Sequence, residues 1–262
     1  MFSTFNIETG LWRQSARGER MEQRAVLEIK NLVKSYGDKE VLKGIDLVAY
    51  EGQIVGLIGK NGIGKSTTID CVTGSKNYNS GEILINGRKI EENPIETKMT
   101  FGYISSEPCL YETMTGFEYL SFIGSVYKVD KTTFKEKVEN LCEVFDLTDK
   151  DLSCKIKGYS HGMKQKLSLI ASLLHSPSLW ILDEPTVGLD VMVFHNLTKC
   201  MKEFASEGKT ILITSHNLDF IGKVCNRVDI IKDGVIFKSI NLDDDEAMRT
   251  KLDDVLTEIY GD

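Results

Sequence analysis

The chain has 262 residues, 41% of them apolar, enough to bury a full core in one domain with a subdomain or in two small ones. Its formal charge of −7 at pH 7 argues against a surface that coats nucleic acid, because a phosphate backbone favours net positive charge. No apolar run approaches the roughly 20 residues that span a bilayer, so a role at a membrane has to come through a partner.

Residues 1–24 read as an N-terminal extension. Arg13, Arg17 and Arg20 stand there with few acids and no apolar h-region, which excludes a secretory signal. Disorder, or a natural start at Met21, is expected, with a transit peptide as the lesser reading. The six cysteines, at 71, 109, 142, 154, 200 and 225, show no C-x-x-C spacing and no histidine pairing suited to zinc. Reduced, mostly packed thiols and a cytosolic chain are therefore expected.

Short β patterns begin at Val26–Leu32 and Ile45–Ala49. Between them Tyr36 precedes the turn signal Gly37-Asp38 and is expected on a loop, where an aromatic either stacks on a purine or simply packs. The run Ile54–Ile58 is short enough for a buried parallel strand. It feeds Gly59-Lys60-Asn61-Gly62-Ile63-Gly64-Lys65-Ser66-Thr67, which fits G-x-x-x-x-G-K-[ST] and opens a helix from Lys65 to Val72 closed by Gly74. Strand, loop and helix are the context of a phosphate cradle. Glycines let backbone N–H groups turn onto phosphate oxygens, and the helix start adds the positive end of its dipole. Lys65 would reach the β- and γ-phosphates, and the Ser66 hydroxyl would hold Mg²⁺.

Gly81–Ile90 reads as a hairpin around Asn86-Gly87, and Phe101–Ile104 as a short strand. From Thr115 to His175 the periodicity turns helical, so an all-helical insert interrupts an α/β chain. Phe134, Val138, Leu141, Cys142 and Phe145 form one stripe; Leu167, Ile170, Ala171 and Leu174 form another, after Ser160 as N-cap and before Pro177 as stop. The β pattern resumes with Leu179–Leu182, ending in Asp183-Glu184-Pro185. Acids at the carboxyl end of a buried strand stand where open α/β sheets place ligand chemistry, which suits Asp183 to Mg²⁺ and Glu184 to polarising a water. A helix with Phe194, Leu197, Met201 and Phe204 inward ends at Gly208; a strand Thr210–Thr214 then ends in Ser215-His216, in reach of a γ-phosphate. Arg227–Ile240 reads as a hairpin around Asp233-Gly234. The acids Asp243 to Glu246 are expected to start a last helix with Met248, Leu252, Val255, Leu256 and Ile259 on its apolar face.

This order of motifs resembles the ATP-binding cassette (ABC) family, specifically the ATPase subunit of a membrane transporter, over about residues 27–237. The resemblance implies an α/β fold: a P-loop NTPase (RecA-like) core with an antiparallel β subdomain and an α-helical subdomain inserted at about 108–176. The ATPase domain would span 25–240 and a C-terminal helix 241–262. It further implies that Tyr36 stacks on adenine, that Gly59, Asn61, Gly62, Gly64, Lys65, Ser66 and Thr67 cradle ATP, that Asp183 and Ser66 hold Mg²⁺, and that Glu184 and His216 are catalytic. The family's signature motif resembles Tyr159-Ser160-His161-Gly162-Met163, in which Ser160 and Gly162 keep a hydroxyl and a bare backbone at a helix N-terminus. Its Tyr, His and Met look like the branch exporting drugs, antibiotic peptides or lipids.

Two chains in that family meet head to tail, so the ATP on Lys65 of one would touch Ser160 and Gly162 of a second ATPase subunit, identical or not. His216 would link to Asp190 across that dimer. Transmembrane permease subunits, met near Cys109, Leu110, Tyr111 and Met114, would hold the chain on the inner face of the cell membrane; nucleic acid is not a partner. One departure stands out: Ser106 occupies the place of a Gln that contacts Mg²⁺ and the attacking water, which implies slower or less tightly coupled hydrolysis. A soluble cassette ATPase outside transport, such as an iron–sulfur assembly helper, stays the second reading.

Overall fold

The computed structural model describes residues 13–14, 20–21, 23–244 and 246–261. The disorder expected over 1–24 falls for the most part outside the described residues. After a two-residue antiparallel pair, Arg13–Gln14 with Arg20–Met21, come two long antiparallel strands, β1 (Ala25–Tyr36) and β2 (Lys39–Tyr50), then β3 (Ile54–Ile58) and α1 (Lys65–Val72). The hairpin β4 (Ser80–Ile85) and β5 (Arg88–Lys89) joins the first two strands in a four-stranded antiparallel sheet ordered β2-β1-β4-β5. β1 and β2 run further than their apolar stretches, because cross-strand pairing continues through several register shifts to Tyr36 opposite Lys39. Tyr36 is accordingly the last residue of a strand rather than part of a loop, and 43% exposed.

After a short α2 (Pro94–Lys98), the strand β6 (Phe101–Ile104) enters a second sheet with β7 (Leu179–Asp183), β8 (Thr210–Thr214), β9 (Arg227–Lys232) and β10 (Val235–Asn241). The order is β10-β9-β3-β8-β7-β6, and only β10 is antiparallel to its neighbour. All five residues of β3, β7 and β8 are buried, which is why these runs are apolar apart from Asp183 and the threonines at the ends of β8 and do not alternate. Their pleat still divides them. Ile54, Ile58, Trp180, Leu182, Ile211 and Ile213 face a core shared with the helices, whereas Val55, Leu57, Leu179, Ile181 and Leu212 face a core shared with α1 and the antiparallel sheet.

Between β6 and β7 lie α3 (Gly116–Val126), α4 (Lys131–Phe145), α5 (Asp149–Leu152), a 3₁₀ turn at Ile156–Gly158 and α6 (His161–Leu173). α3 begins in a capping box: Glu118 N donates to Thr115 Oγ1 at 3.1 Å and Thr115 N to Glu118 Oε2 at 2.7 Å. Both predicted stripes are core, with Val138, Phe145, Leu167, Ile170 and Leu174 buried. α7 (Val191–Ser206) follows β7, and a helix the periodicity did not reveal, α8 (Leu218–Val224), follows β8 under an Asn217 cap. Seven residues are too few for a pattern to stand out from a buried loop.

The C-terminal segment departs from expectation. The acidic cluster precedes a 3₁₀ turn (Glu246–Thr250), and α9 runs only from Leu252 to Tyr260. Asp243 accepts from Asn226 at 2.9 Å and from Arg249 at 2.7 Å, and Arg249 donates to the Gly222 and Cys225 carbonyls at the end of α8. These bonds pin the segment before a helix can start; Asp245 lies outside the described residues. The apolar face is as expected, with Leu252 and Val255 buried and Met248, Leu256 and Ile259 against the core. All six cysteines are free thiols. Among the described residues no helix is long and apolar enough to cross a membrane.

At the seam between β6 and the helices, His175 stacks on Tyr127 with ring centroids 3.7 Å apart, and its Nε2 pairs with the Phe101 carbonyl at 3.0 Å. Burial depresses its pKa to about 4. An unfolded histidine titrates near 6.5, so between those values the unfolded chain binds the extra proton and stability rises with pH. The melting temperature should therefore fall as pH drops from about 6.5 towards 4. His175→Phe should flatten that slope, and an unchanged slope in a pH series of thermal melts would contradict this.

Candidate active site

The site forms on the carboxyl edge of three adjacent strands, β3, β8 and β7. Thr214, the last residue of β8, lies opposite Leu57 on one side and Asp183 on the other, so the loops leaving these strands emerge together. The loop after β3 runs through Gly59, Gly62 and Gly64 at φ of 152°, 73° and 122°, values that favour glycine. A Cβ on Gly64 would stand 2.6 Å from Leu42 Cδ2, which packs the loop against β2 and the hairpin that ends in Tyr36. Gly62 faces open space and, with the neighbouring Asn61, is exposed at the loop crest. Thr67 is half-buried in the first turn of α1.

Lys65 is buried, and its Nζ donates to the loop's own carbonyls, to Gly59 O at 2.8 Å and Lys60 O at 3.2 Å. Burial lowers its pKa, opposed by the carboxylates of Glu184 and Asp183. The ammonium is thus held in the loop by contacts a phosphate oxygen can replace. Ser66 Oγ donates to Asp183 Oδ1 at 3.3 Å, and Thr214 Oγ1 donates to the same oxygen at 2.5 Å. Asp183 is 4% exposed, so Thr214 satisfies a buried carboxylate and fixes its orientation.

Glu184 has a left-handed backbone, φ 52°, held by its N–H to the Thr214 carbonyl at 3.1 Å. Its Oε2 accepts from the His216 backbone N–H at 3.1 Å; its Oε1 stands 3.1 Å from His216 Nε2 without hydrogen-bond geometry. Tyr36 carries Lys34 Nζ at 4.8 Å and Lys76 Nζ at 5.7 Å over its ring, a cation-flanked aromatic at the end of β1.

Ser160 and Gly162 form a separate group. Ser160 caps α6 by accepting from Met163 N at 3.2 Å and is exposed, while a Cβ on Gly162 would come within 2.4 Å of the Gly188 carbonyl. The α6 start is tied to the loop after β7: Gln165 Nε2 donates to Pro185 O at 3.1 Å, and Lys166 Nζ lies 3.1 Å from Asp190. Asp190 itself caps α7, accepting from Val193 N at 3.0 Å, and that bond, followed by Lys166, holds its carboxyl below the usual range. The Tyr159 hydroxyl donates to Asp151 O at 2.6 Å and is buried, so the aromatic variant in the motif is a packing anchor.

Sequence reasoning missed Thr214 as a site residue and Gln165 as the strut between α6 and the Asp183 loop. The signal for Thr214 was a hydroxyl closing an apolar strand beside another strand that ends in acids. For Gln165 there was none, because its partner is a distant carbonyl.

The residues fit both a nucleotide and its metal. A bare-backbone loop, a buried ammonium on displaceable carbonyls and a helix start form a cradle for a triphosphate. Ser66 and Asp183 present hard oxygens to one point, as Mg²⁺ prefers. Among the described residues no group of three or more His, Cys, Asp or Glu could hold a metal by itself.

A phosphate-binding loop joined to an acidic strand end defines a P-loop ATPase. Comparison narrows the class. The ABC transporter family model matches residues 42–187. The chain is 35% identical over 209 residues to the linearmycin resistance ATP-binding protein LnrL of Bacillus subtilis, covering 80% of this chain and 67% of that one. It is 34% identical over 223 residues to the lantibiotic transport ATP-binding protein SrtF of Streptococcus pyogenes, covering 85% and 94%. A solved structure of an ATP-binding subunit of an ABC transporter superposes with a TM-score of 0.83 at 33% identity, covering 89% of this chain and 98% of that one. The chain belongs to the ABC transporter family, as its ATP-binding and ATP-hydrolysing subunit.

Thr214→Val keeps the shape of the strand end and removes the donor to Asp183. Loss of a hydrogen bond to a buried charge costs roughly 1.5–3 kcal/mol, so ATP turnover should fall about 10- to 100-fold. A rate within a factor of about two of the parent chain would show that Thr214 does not orient Asp183.

Proposed function

We propose that the chain powers export of a drug-like, antibiotic-peptide or lipid-like cargo by ATP-dependent closure against a second ATPase subunit. The observation that carries it is the split site. Lys65, Ser66, Asp183, Glu184 and His216 share one sheet edge, whereas Ser160 and Gly162 stand at the exposed start of α6 beside the loop at Gly188. A positive helix end so placed is of use to a nucleotide held by another copy. The Tyr159–Met163 motif and the linearmycin-resistance and lantibiotic-transport relatives support export as the direction.

In this reading Tyr36 stacks on the adenine, and Asn61, Gly62 and Thr67 join Gly59, Gly64 and Lys65 around the phosphates. Ser66 and Asp183 would hold Mg²⁺, which would neutralise phosphate charge. Lys65 exchanges the Gly59 and Lys60 carbonyls for phosphate oxygens. Glu184, steadied by the His216 backbone, takes a proton from the attacking water, and His216 holds the γ-phosphate. Loss of that phosphate leaves Ser160 and Gly162 of the partner copy without their anion, and the halves part.

The permease face is the start of the helical insert. Cys109 and Tyr111 are exposed and Leu110 and Met114 half-buried, and Tyr111 packs edge-on against the exposed Phe122 at 5.5 Å. The two rings form an exposed aromatic patch of the kind that docks a protein partner. Such a contact keeps the chain peripheral on the inner face of the cell membrane.

Glu184→Gln should still bind ATP while losing hydrolysis by roughly 10²- to 10⁴-fold, and it should accumulate as an ATP-bound dimer in size-exclusion chromatography. A monomer that hydrolyses at the parent rate would sink the proposal. At the carboxyl end of β6, Ser106 is too short for the reach of an amide, so Ser106→Gln should raise the ATPase rate or its stimulation by the permease. No change in either would remove that explanation.

A further inference from the structure

The end of the chain reaches back to the phosphate loop. Lys60 Nζ donates to the Tyr260 carbonyl at 3.1 Å across 200 residues of sequence, and it lies 4.9 Å from the centre of the Tyr260 ring. The Tyr260 hydroxyl donates to the Ile231 carbonyl, and Lys232 Nζ donates to the Ile259 carbonyl at 2.6 Å. The end of α9 is thereby anchored to the end of β9, the strand paired with β3. A Cβ on Gly59 would stand 2.8 Å from the Tyr260 hydroxyl and 2.8 Å from the Ile231 carbonyl, so the phenol lies directly against the first glycine of the loop. Burial raises the phenol above its ordinary pKa and keeps it a donor at neutral pH.

These contacts fall on Gly59 and Lys60, the two residues whose carbonyls hold Lys65. When Lys65 leaves for a phosphate, those peptide planes lose their internal tie. A glycine-rich loop is costly to order, and a brace from elsewhere in the fold moves that cost from binding to folding.

We propose that Tyr260 is a positioning residue for ATP binding: with its ring on Lys60 and its hydroxyl beside Gly59, it keeps the entry of the phosphate loop in the shape that receives the triphosphate. The effect should therefore appear in affinity and not in turnover, a split that general loss of stability does not produce. This inference rests on the reading of the loop as the ATP site.

The test uses the full chain with Tyr260→Ala, Tyr260→Phe, Lys60→Met and the Tyr260→Ala/Lys60→Met double variant, measuring ATP Kd by calorimetry, and KM and kcat from steady-state rates. Tyr260→Ala should raise Kd and KM roughly three- to tenfold, the scale of a lost ring–cation contact and hydrogen bond. Its kcat should stay within about twofold of the parent, and Tyr260→Phe should be intermediate. The double variant should lose less than the sum of the two single losses, because Tyr260→Ala and Lys60→Met both remove the ring–ammonium contact. If the alanine variant does not fold, Tyr260→Phe and Lys60→Met carry the same comparison. Unchanged Kd and KM, a loss confined to kcat, or full additivity in the double variant would overturn the proposal. A parent chain that does not bind ATP would overturn the site reading itself.

Discussion

Thr214 has β-strand neighbours on both sides, Leu57 and Asp183, and that double pairing sets where every reactive group stands. Its backbone carbonyl receives the Glu184 N–H, and its hydroxyl meets Asp183, which in turn accepts from Ser66. Two residues later, the His216 backbone donates to Glu184. A slip of one residue in β8 would turn Thr214 into the other core and leave a buried carboxylate without its donor. The site is therefore a consequence of strand register, with the loops adding the groups that move.

The two cores give that register its rigidity and divide the labour between subdomains. One face of the parallel sheet packs on α1 and the antiparallel sheet, so the phosphate loop and Tyr36 share a foundation. The other packs on the helical insert, whose α6 carries Ser160 and Gly162 and is tied through Gln165 and Lys166 to the loop that follows Glu184. Gln165 and Lys166 thus give the loop after the acidic strand end a direct polar tie to the insert.

Much of this was legible in the residues. The five-residue apolar runs, the glycine spacing before Lys65-Ser66 and the two acids closing β7 are local signals with local causes: burial on both faces, backbone freedom and the exposed end of a strand. The helical stripes and the Ser160 cap were equally plain. Two expectations failed because strand pairing and side-chain bonds, not local signals, decided the outcome. Tyr36 ends a strand because Lys39 pairs with it, and the acidic cluster starts no α-helix because Asn226 and Arg249 claim Asp243.

The sequence by itself determined the chemistry available: a bare-backbone loop with one lysine and one hydroxyl, two carboxylates, a histidine and a capped helix start. Tertiary structure decided which of these meet. It joined Thr214 to Asp183 and the His216 backbone to Glu184, left Ser160 and Gly162 in a separate group, and laid Tyr260 on Lys60. Spacing along a chain fixes a helix face or a loop, whereas contacts across 30 to 200 residues exist only once strand order and register are set.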